Sequence, residues 1–273
     1  MYSSAVNTIS SFPIYTLEAF VLDVEKQYLV IHLSDKLNAE DYIKFKENIN
    51  KLINGKPLQY ITNNQEFMGL NFFVNENVLI PQPDTEIIVE ETLKKCKELF
   101  LKNGKIRILD LCTGSGAIAV SLSNFLGDEA EVFASDISTK ALEVAKYNNG
   151  KNNTYGRFIA SNLFENIQEQ KFNIIVSNPP YIRSNVINNL PKQVQNEPHL
   201  ALDGGEDGLK FYKKIIEQAC NYIENGYLIL EIGYDQKEDV ENLLKENKNY
   251  SEIKTIQDLS GNDRCVIAKV GKI

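Results

Sequence analysis

The sequence predicts an α/β protein: a seven-stranded, mostly parallel sheet with an antiparallel last strand, preceded by a small helical N-terminal domain. Three observations lead there. From Ile106 onward, short apolar runs of strand character alternate with stretches of helical periodicity, the pattern of a parallel sheet covered on both faces. The last two apolar runs are joined directly, with no crossover helix between them, so they must pair antiparallel. Before residue 64 the apolar residues recur at helical spacing.

Taken in order, Tyr15 to His32 places Leu17, Phe20, Val21, Val24, Tyr28 and Ile31 on one face of an amphipathic helix. Asn38 caps a second helix with the apolar stripe Tyr42, Phe45, Ile49, Leu52 and Ile53, ended by Gly55 and Pro57. Glu66 to Ile80 reads as a hairpin turning at Asn75-Glu76-Asn77. Asp84 or Thr85 then caps a helix running to about Lys102. Strands are expected at 106–111, 131–135, 157–161, 172–177, 226–232, 252–257 and 264–270, with helices between the first five. The domain division that follows is a helical domain over 1–63, a hairpin linker over 64–83 and the α/β domain over 84–273.

A hydrophobic fraction of 43% with 24% charged residues is that of a water-soluble globular chain. No apolar run reaches the roughly 18 residues of a membrane span, and the first residues lack a basic leader, so a cytoplasmic protein without a membrane partner is expected. Cys96, Cys112, Cys220 and Cys265 are scattered and read as free thiols. His32 and His199 stand far apart, which argues against zinc, against any other histidine-built metal centre and against histidine-driven acid–base chemistry. The net charge of −8 and the presence of only four arginines disfavour a nucleic-acid substrate. A protein or small-molecule substrate fits better, and a monomer is expected.

Two motifs carry the chemistry. The first is Asp110-Leu-Cys-Thr-Gly-Ser-Gly116, after an apolar strand and before a helix. Gly114 can adopt backbone angles closed to other residues, and Gly116 permits close approach of a ligand to the main chain. The spacing also fits a dinucleotide fingerprint. Asp110 speaks against that alternative, because a carboxylate at the strand end repels a pyrophosphate but favours a cationic ammonium or sulfonium. Its structural alternative is a strand-end acid satisfied by loop N–H groups. Asp136, at the end of the second strand, suits a ribose diol whichever nucleoside is bound, with helix capping as the alternative, although Ser138 is better placed to cap. The second motif, Asn178-Pro179-Pro180-Tyr181, follows the strand Phe172–Ser177 and combines a carboxamide, two rigid backbones and an aromatic face. At a strand's carboxyl end it can grip a planar amide or amidine nitrogen; as a turn it would be ordinary punctuation.

In this order and spacing the motifs resemble class I S-adenosylmethionine-dependent methyltransferases acting on nitrogen. Gly55-Lys-Pro-Leu-Gln-Tyr-Ile-Thr62, Val78-Leu-Ile-Pro-Gln-Pro-Asp-Thr-Glu86 and Glu197-Pro-His-Leu-Ala-Leu202 narrow the resemblance to the release-factor glutamine methyltransferases (the PrmC/HemK family). The resemblance implies a Rossmann-like methyltransferase sheet, an N-terminal substrate-recognition domain, S-adenosyl-L-methionine as methyl donor and S-adenosyl-L-homocysteine as product, with class I peptide chain release factors as partners. Carried over by position, Asp110, Cys112, Thr113, Gly114, Ser115, Gly116, Asp136, Ile137, Asn162, Leu163 and Asn178 would contact the cofactor. Asn178, Pro179, Pro180, Tyr181 and Glu197 would contact the substrate glutamine, with Asn178, Pro179 and Tyr181 catalytic. The chain departs from the family pattern at Cys112 (usually glycine), Gln82 (usually arginine) and Asn162-Leu163 (usually an acidic-aromatic pair). The rival readings are an exocyclic-amine methyltransferase on nucleic acid, a nicotinamide oxidoreductase and a non-catalytic cofactor or partner binder.

Overall fold

The computed structural model describes residues 11–32, 35–103, 105–168 and 170–271. The chain falls into two compact units: Met1–Asn64 with Pro191–Asn196, and Gln65–Leu190 with Glu197–Ile273.

The first unit contains α1 (Ser11–Leu22), α2 (Lys26–His32), α3 (Ala39–Ile53) and α4 (Leu58–Thr62). Leu17, Ile49, Leu52 and Ile61 form its core, with Ile14, Phe45 and Leu58 packed against them. The single helix expected over Tyr15–His32 is two helices. The amide of Val24 reaches back to the Ala19 carbonyl (3.0 Å) and Asp23 turns left-handed (φ 53°), a closure that ends α1 although the apolar periodicity continues. Asn38 caps α3 by accepting from the Asp41 amide (2.9 Å), with Glu40 and Asp41 favourably placed at the positive end of the helix. The segment 191–196 joins this unit through the Asn196 amide, which donates to the Gly55 carbonyl (2.8 Å) just past α3.

The second unit begins with β1 (Gln65–Phe67) and β2 (Leu70–Phe72), which turn at Met68-Gly69 and not at Asn75–Asn77. Both turn residues have positive φ (53° and 72°), the geometry that matches strand twist in a two-residue hairpin. The apolar run beyond β2 finds its backbone partners in distant side chains. Asn148 pairs with Phe73 as a strand would, accepting from its amide (2.7 Å) and donating to its carbonyl (2.9 Å). Further on, the Glu197 carboxylate takes the Ile80 amide (2.9 Å).

A 3₁₀ turn (Pro83–Thr85) leads into α5 (Glu86–Asn103). The sheet then builds from β3 (Ile106–Leu111), β4 (Ala130–Asp136), β5 (Arg157–Ala160), β6 (Phe172–Ser177), β7 (Ile223–Glu231), β8 (Tyr250–Gln257) and β9 (Asp263–Val270). Helices α6 (Ala117–Leu126), α7 (Thr139–Lys151), α8 (Lys210–Ala219) and α9 (Lys237–Glu246) connect them. The strand order is β5-β4-β3-β6-β7-β9-β8, parallel except for β9, which runs antiparallel between β7 and β8. Ile108, Leu109, Leu111, Ile174, Ile175 and Val176 are fully buried, which is why these strands are almost uniformly apolar. No helix fills the link from β5 to β6 among the described residues; Leu163, Phe164 and Ile167 are buried there and join the core directly.

β6 and β7 approach so closely at Gly226 that a Cβ there would lie 1.7 Å from the Asn173 carbonyl oxygen. Backbone cannot yield as a flexible side chain can. Gly226→Ala is expected to lower the unfolding free energy by about 3 kcal/mol or more, read from urea denaturation.

Candidate active site

The pairing of β3 brings three loops to one edge of the sheet. Leu111, its last residue, lies opposite Ser135 on β4 and Ser177 on β6, so the segments after all three strands emerge side by side. The order reverses between β3 and β6, the position where open α/β sheets leave a crevice.

After β3 the chain makes its glycine turn. The Thr113 amide donates to the Ser135 carbonyl (3.0 Å) and the Gly116 amide to the Thr113 carbonyl (2.8 Å). Gly116 is left-handed (φ 82°) and packs so tightly on α7 that a Cβ would sit 3.0 Å from that of Ala145. Gly114 is also left-handed (φ 55°), but a Cβ on it would meet no protein atom within 4 Å; the room beside it is the cavity. Cys112 keeps its side chain despite a φ of 60°, half-buried at the start of the turn, with its thiol pushed up by burial and by Asp136.

Asp110 takes the strand-end role. Its Oδ2 accepts from the Thr113 hydroxyl (2.6 Å) and the Ala119 amide (3.2 Å), tying the turn to the start of α6, while Oδ1 is buried without a hydrogen-bond partner. Burial pushes its carboxyl up to about 7. It lies beneath the turn and does not line the cavity. Asp136 does line it: its two oxygens accept from the Gly114 (2.9 Å) and Ser138 (2.8 Å) amides, fixing the turn to the end of β4. Ser138, not Asp136, caps α7 through the Ala141 amide (3.2 Å).

The Asn178–Tyr181 corner after β6 is held from several sides. The Asn178 amide nitrogen donates to the Thr85 hydroxyl (3.2 Å), which leaves the carboxamide oxygen as the acceptor. The Tyr181 hydroxyl donates to Glu231 Oε1 (3.3 Å), and the Gln236 amide donates to the Tyr181 carbonyl (3.0 Å). A Cβ on Gly204 would lie 2.7 Å from Tyr181 backbone atoms, so only glycine fits behind the corner. Glu231, at the end of β7, is buried and its carboxyl is pushed up to about 7.

The glycine turn and the corner face one cavity of about 310 Å³. Cys112, Gly114, Asp136, Ile137, Asn162, Leu163, Asn178 and Pro180 all contribute to its wall. Thr113, Ser115 and Gly116 stand behind the wall and shape the turn, and Pro179 and Tyr181 stand behind the corner. Glu197, expected against the substrate, is also not on the wall: it is a buried strut whose carboxyl, pushed up to about 7 by burial, holds the Ile80 amide. Gln82 is exposed and donates to the Ile80 carbonyl (3.0 Å) within its own loop.

The sequence reading assigned no site role to Asn77 and Leu79, or to Lys210, Phe211 and Lys214 on α8, all of which line the cavity. Asn77 was read as part of a hairpin turn and Leu79 as part of the stretch Val78–Glu86, and the α8 residues flank the buried face of an ordinary amphipathic helix.

The lining suits a nucleoside. Asp136 offers a carboxylate to a diol, while Ile137, Ala141, Leu163 and Phe211 offer apolar surface to a purine, and the open space over Gly114 admits a chain lying on the backbone.

This sheet order with its reversed β9, and a cavity at its switch point, is the Rossmann-like architecture that a solved methyltransferase shares. A methyltransferase from Pyrococcus furiosus superposes with a TM-score of 0.56 at 19% identity, covering 83% of this chain and 99% of that one. Residues 91–204 match the family model described as the methyltransferase small domain, and residues 14–62 match the PrmC N-terminal domain. A release factor glutamine methyltransferase of Fusobacterium nucleatum is 41% identical over 254 residues, 91% of this chain and 70% of the relative. One of Clostridium acetobutylicum is 40% identical over 261 residues, 93% and 90% of the two chains. The chain belongs to the release factor glutamine methyltransferase family.

Asp110, Glu197 and Glu231, each raised to about 7 by burial, bear on stability. The unfolded chain releases these protons near pH 4, whereas the folded chain holds them to about pH 7. Their contribution is complete below the unfolded range and is lost as pH rises through 7. Urea titrations are expected to show an unfolding free energy lower by on the order of a few kcal/mol at about pH 8 than at about pH 5.5, with a shallower slope in Asp110→Asn.

Proposed function

We propose that this chain transfers a methyl group from S-adenosylmethionine to the side-chain amide nitrogen of the glutamine in the Gly-Gly-Gln loop of class I peptide chain release factors. The observation that carries the reading is the shared cavity: Asn178 and Gly114 line the same space. The relatives' names supply the acceptor.

When bound, S-adenosylmethionine supplies an electrophilic methyl on a sulfonium. Asp136 would hold the ribose hydroxyls, and the Gly114 backbone leaves room for the methionine portion. Ile137, Asn162 and Leu163 would hold the adenine. At the other end, the amide nitrogen of glutamine is a poor nucleophile because its lone pair is delocalised into the carbonyl. The Asn178 side-chain oxygen accepts one of its N–H groups, turning the remaining electron density toward the methyl and stabilising positive charge as it develops. Pro179 and Pro180 fix this acceptor before substrate arrives, and Tyr181 supports the corner. No strong base is required, since the proton of an N-alkylated amide is acidic and leaves to water.

Mass spectrometry of unmethylated release factor incubated with the enzyme and cofactor is expected to show one added methyl on that glutamine; an unmodified peptide at full incubation would overturn the reading. Asn178→Ala is expected to keep cofactor affinity and lose about 10²–10³ in single-turnover rate. Asp136→Ala is expected to weaken calorimetric cofactor binding by roughly 1.5–3 kcal/mol.

A further inference from the structure

Behind Asn178 lies a buried polar cluster that cofactor and substrate binding leave unused. Thr85 is buried at the end of the 3₁₀ turn before α5, and its hydroxyl oxygen accepts from the Asn178 amide nitrogen at 3.2 Å. Having accepted, that hydroxyl has one proton to give. Glu231 is 2% exposed; its Oε1 accepts from the Tyr181 hydroxyl at 3.3 Å, and its Oε2 is buried with no hydrogen-bond partner. Among the groups that favour the charged form of Glu231, the Thr85 hydroxyl is the strongest, ahead of Arg264 and Tyr181. Arg264 is itself held by Asp84 and Asp258, both at 3.3 Å. Thr85 is thus near enough to favour the charged form of Glu231, while Glu231 Oε2 takes no hydrogen bond in the resting arrangement.

Resting on the methyl-transfer reading above, we propose that Thr85 and Glu231 are positioning residues for Asn178: Thr85 accepts from the Asn178 amide nitrogen, donates to Glu231, and so fixes the carboxamide with its oxygen toward the cavity. A carboxamide can rotate by half a turn and exchange its donor for its acceptor. Rotated, Asn178 would present N–H to the substrate's N–H. Once Glu231 is ionised, above about pH 7, the hydroxyl proton is committed to it and Thr85 can only accept, so the rotated form would place two acceptors face to face. Glu231 serves both ends of the corner, since the same carboxyl receives Tyr181.

Thr85→Val removes the hydroxyl at nearly constant volume. It is expected to lower kcat by about 10- to 100-fold, the scale of a misaligned reacting group, with KM for release factor and calorimetric cofactor affinity within about twofold of the parent. Thr85→Ser, which keeps the hydroxyl, is expected to restore kcat. Glu231→Gln, with one oxygen left to serve two hydroxyls, is expected to fall between them. A readout independent of turnover is hydrogen exchange of the Asn178 side-chain amide in asparagine-labelled protein, its resonance identified by loss in Asn178→Ala. That exchange is expected to be slow in the parent and in Thr85→Ser and to speed up about tenfold or more in Thr85→Val. Should Thr85→Val not bind cofactor, Thr85→Ala carries the same comparison. Parent-like kcat with slow amide exchange in either hydroxyl-free variant would overturn the positioning role while leaving methyl transfer intact. A parent enzyme inactive on release factor would instead overturn methyl transfer, with the exchange measurement still deciding whether Thr85 orients Asn178.

Discussion

The parallel pairing of β3 with β4 on one side and β6 on the other is the constraint from which the site follows. Parallel neighbours in register end at the same level, so Leu111, Ser135 and Ser177 deliver their loops to one edge. A turn that favours glycine, an acid and a rigid carboxamide corner then meet although they are separated by tens of residues in the chain. The register is protected by burial: strands hidden on both faces cannot slip without moving apolar side chains out of the core. Two hydrogen bonds lock the edge itself, from the Thr113 amide to the Ser135 carbonyl and from the Ser177 hydroxyl to the Leu111 carbonyl (2.7 Å).

Around that edge, irregular backbone is satisfied by side chains reaching across long sequence separations. Asn148 serves Phe73 and the Ser115 carbonyl at once, and so connects the segment after β2, the glycine turn and α7. Glu197 and Gln236 act similarly for the loops at Ile80 and Tyr181. Buried backbone groups need such partners, and polar side chains in the interior carry a desolvation cost unless they provide them. The site is therefore rigid through polar links as much as through apolar packing.

These two kinds of support differ in how legible they are. The strands stand out in the sequence because burial on both faces makes them apolar throughout, as in Ile106–Leu111 and Phe172–Ser177. The order and spacing of the glycine turn, Asp136 and the Asn178 corner were readable for the same reason: each sits at a strand end. The polar links were not readable, because nothing near Phe73 announces that Asn148 will pair with it. The apolar run past β2 therefore resembled the return strand of a hairpin. Local chain geometry escaped in the same way at Asp23, where the apolar periodicity runs on while a left-handed residue ends the helix. Asp110 shows the subtlest gap: its place at the strand end was plain, but only the fold reveals that the turn lies between it and the cavity.

Cys112 stands where the family usually has glycine, on the cavity wall and in a left-handed backbone. Thiolates attack electrophilic carbon far more readily than thiols do. Burial together with the negative field of Asp136 keeps this sulfur protonated. An alkylating ligand held in the same cavity accordingly meets a thiol and not a thiolate, the weaker of the two nucleophiles.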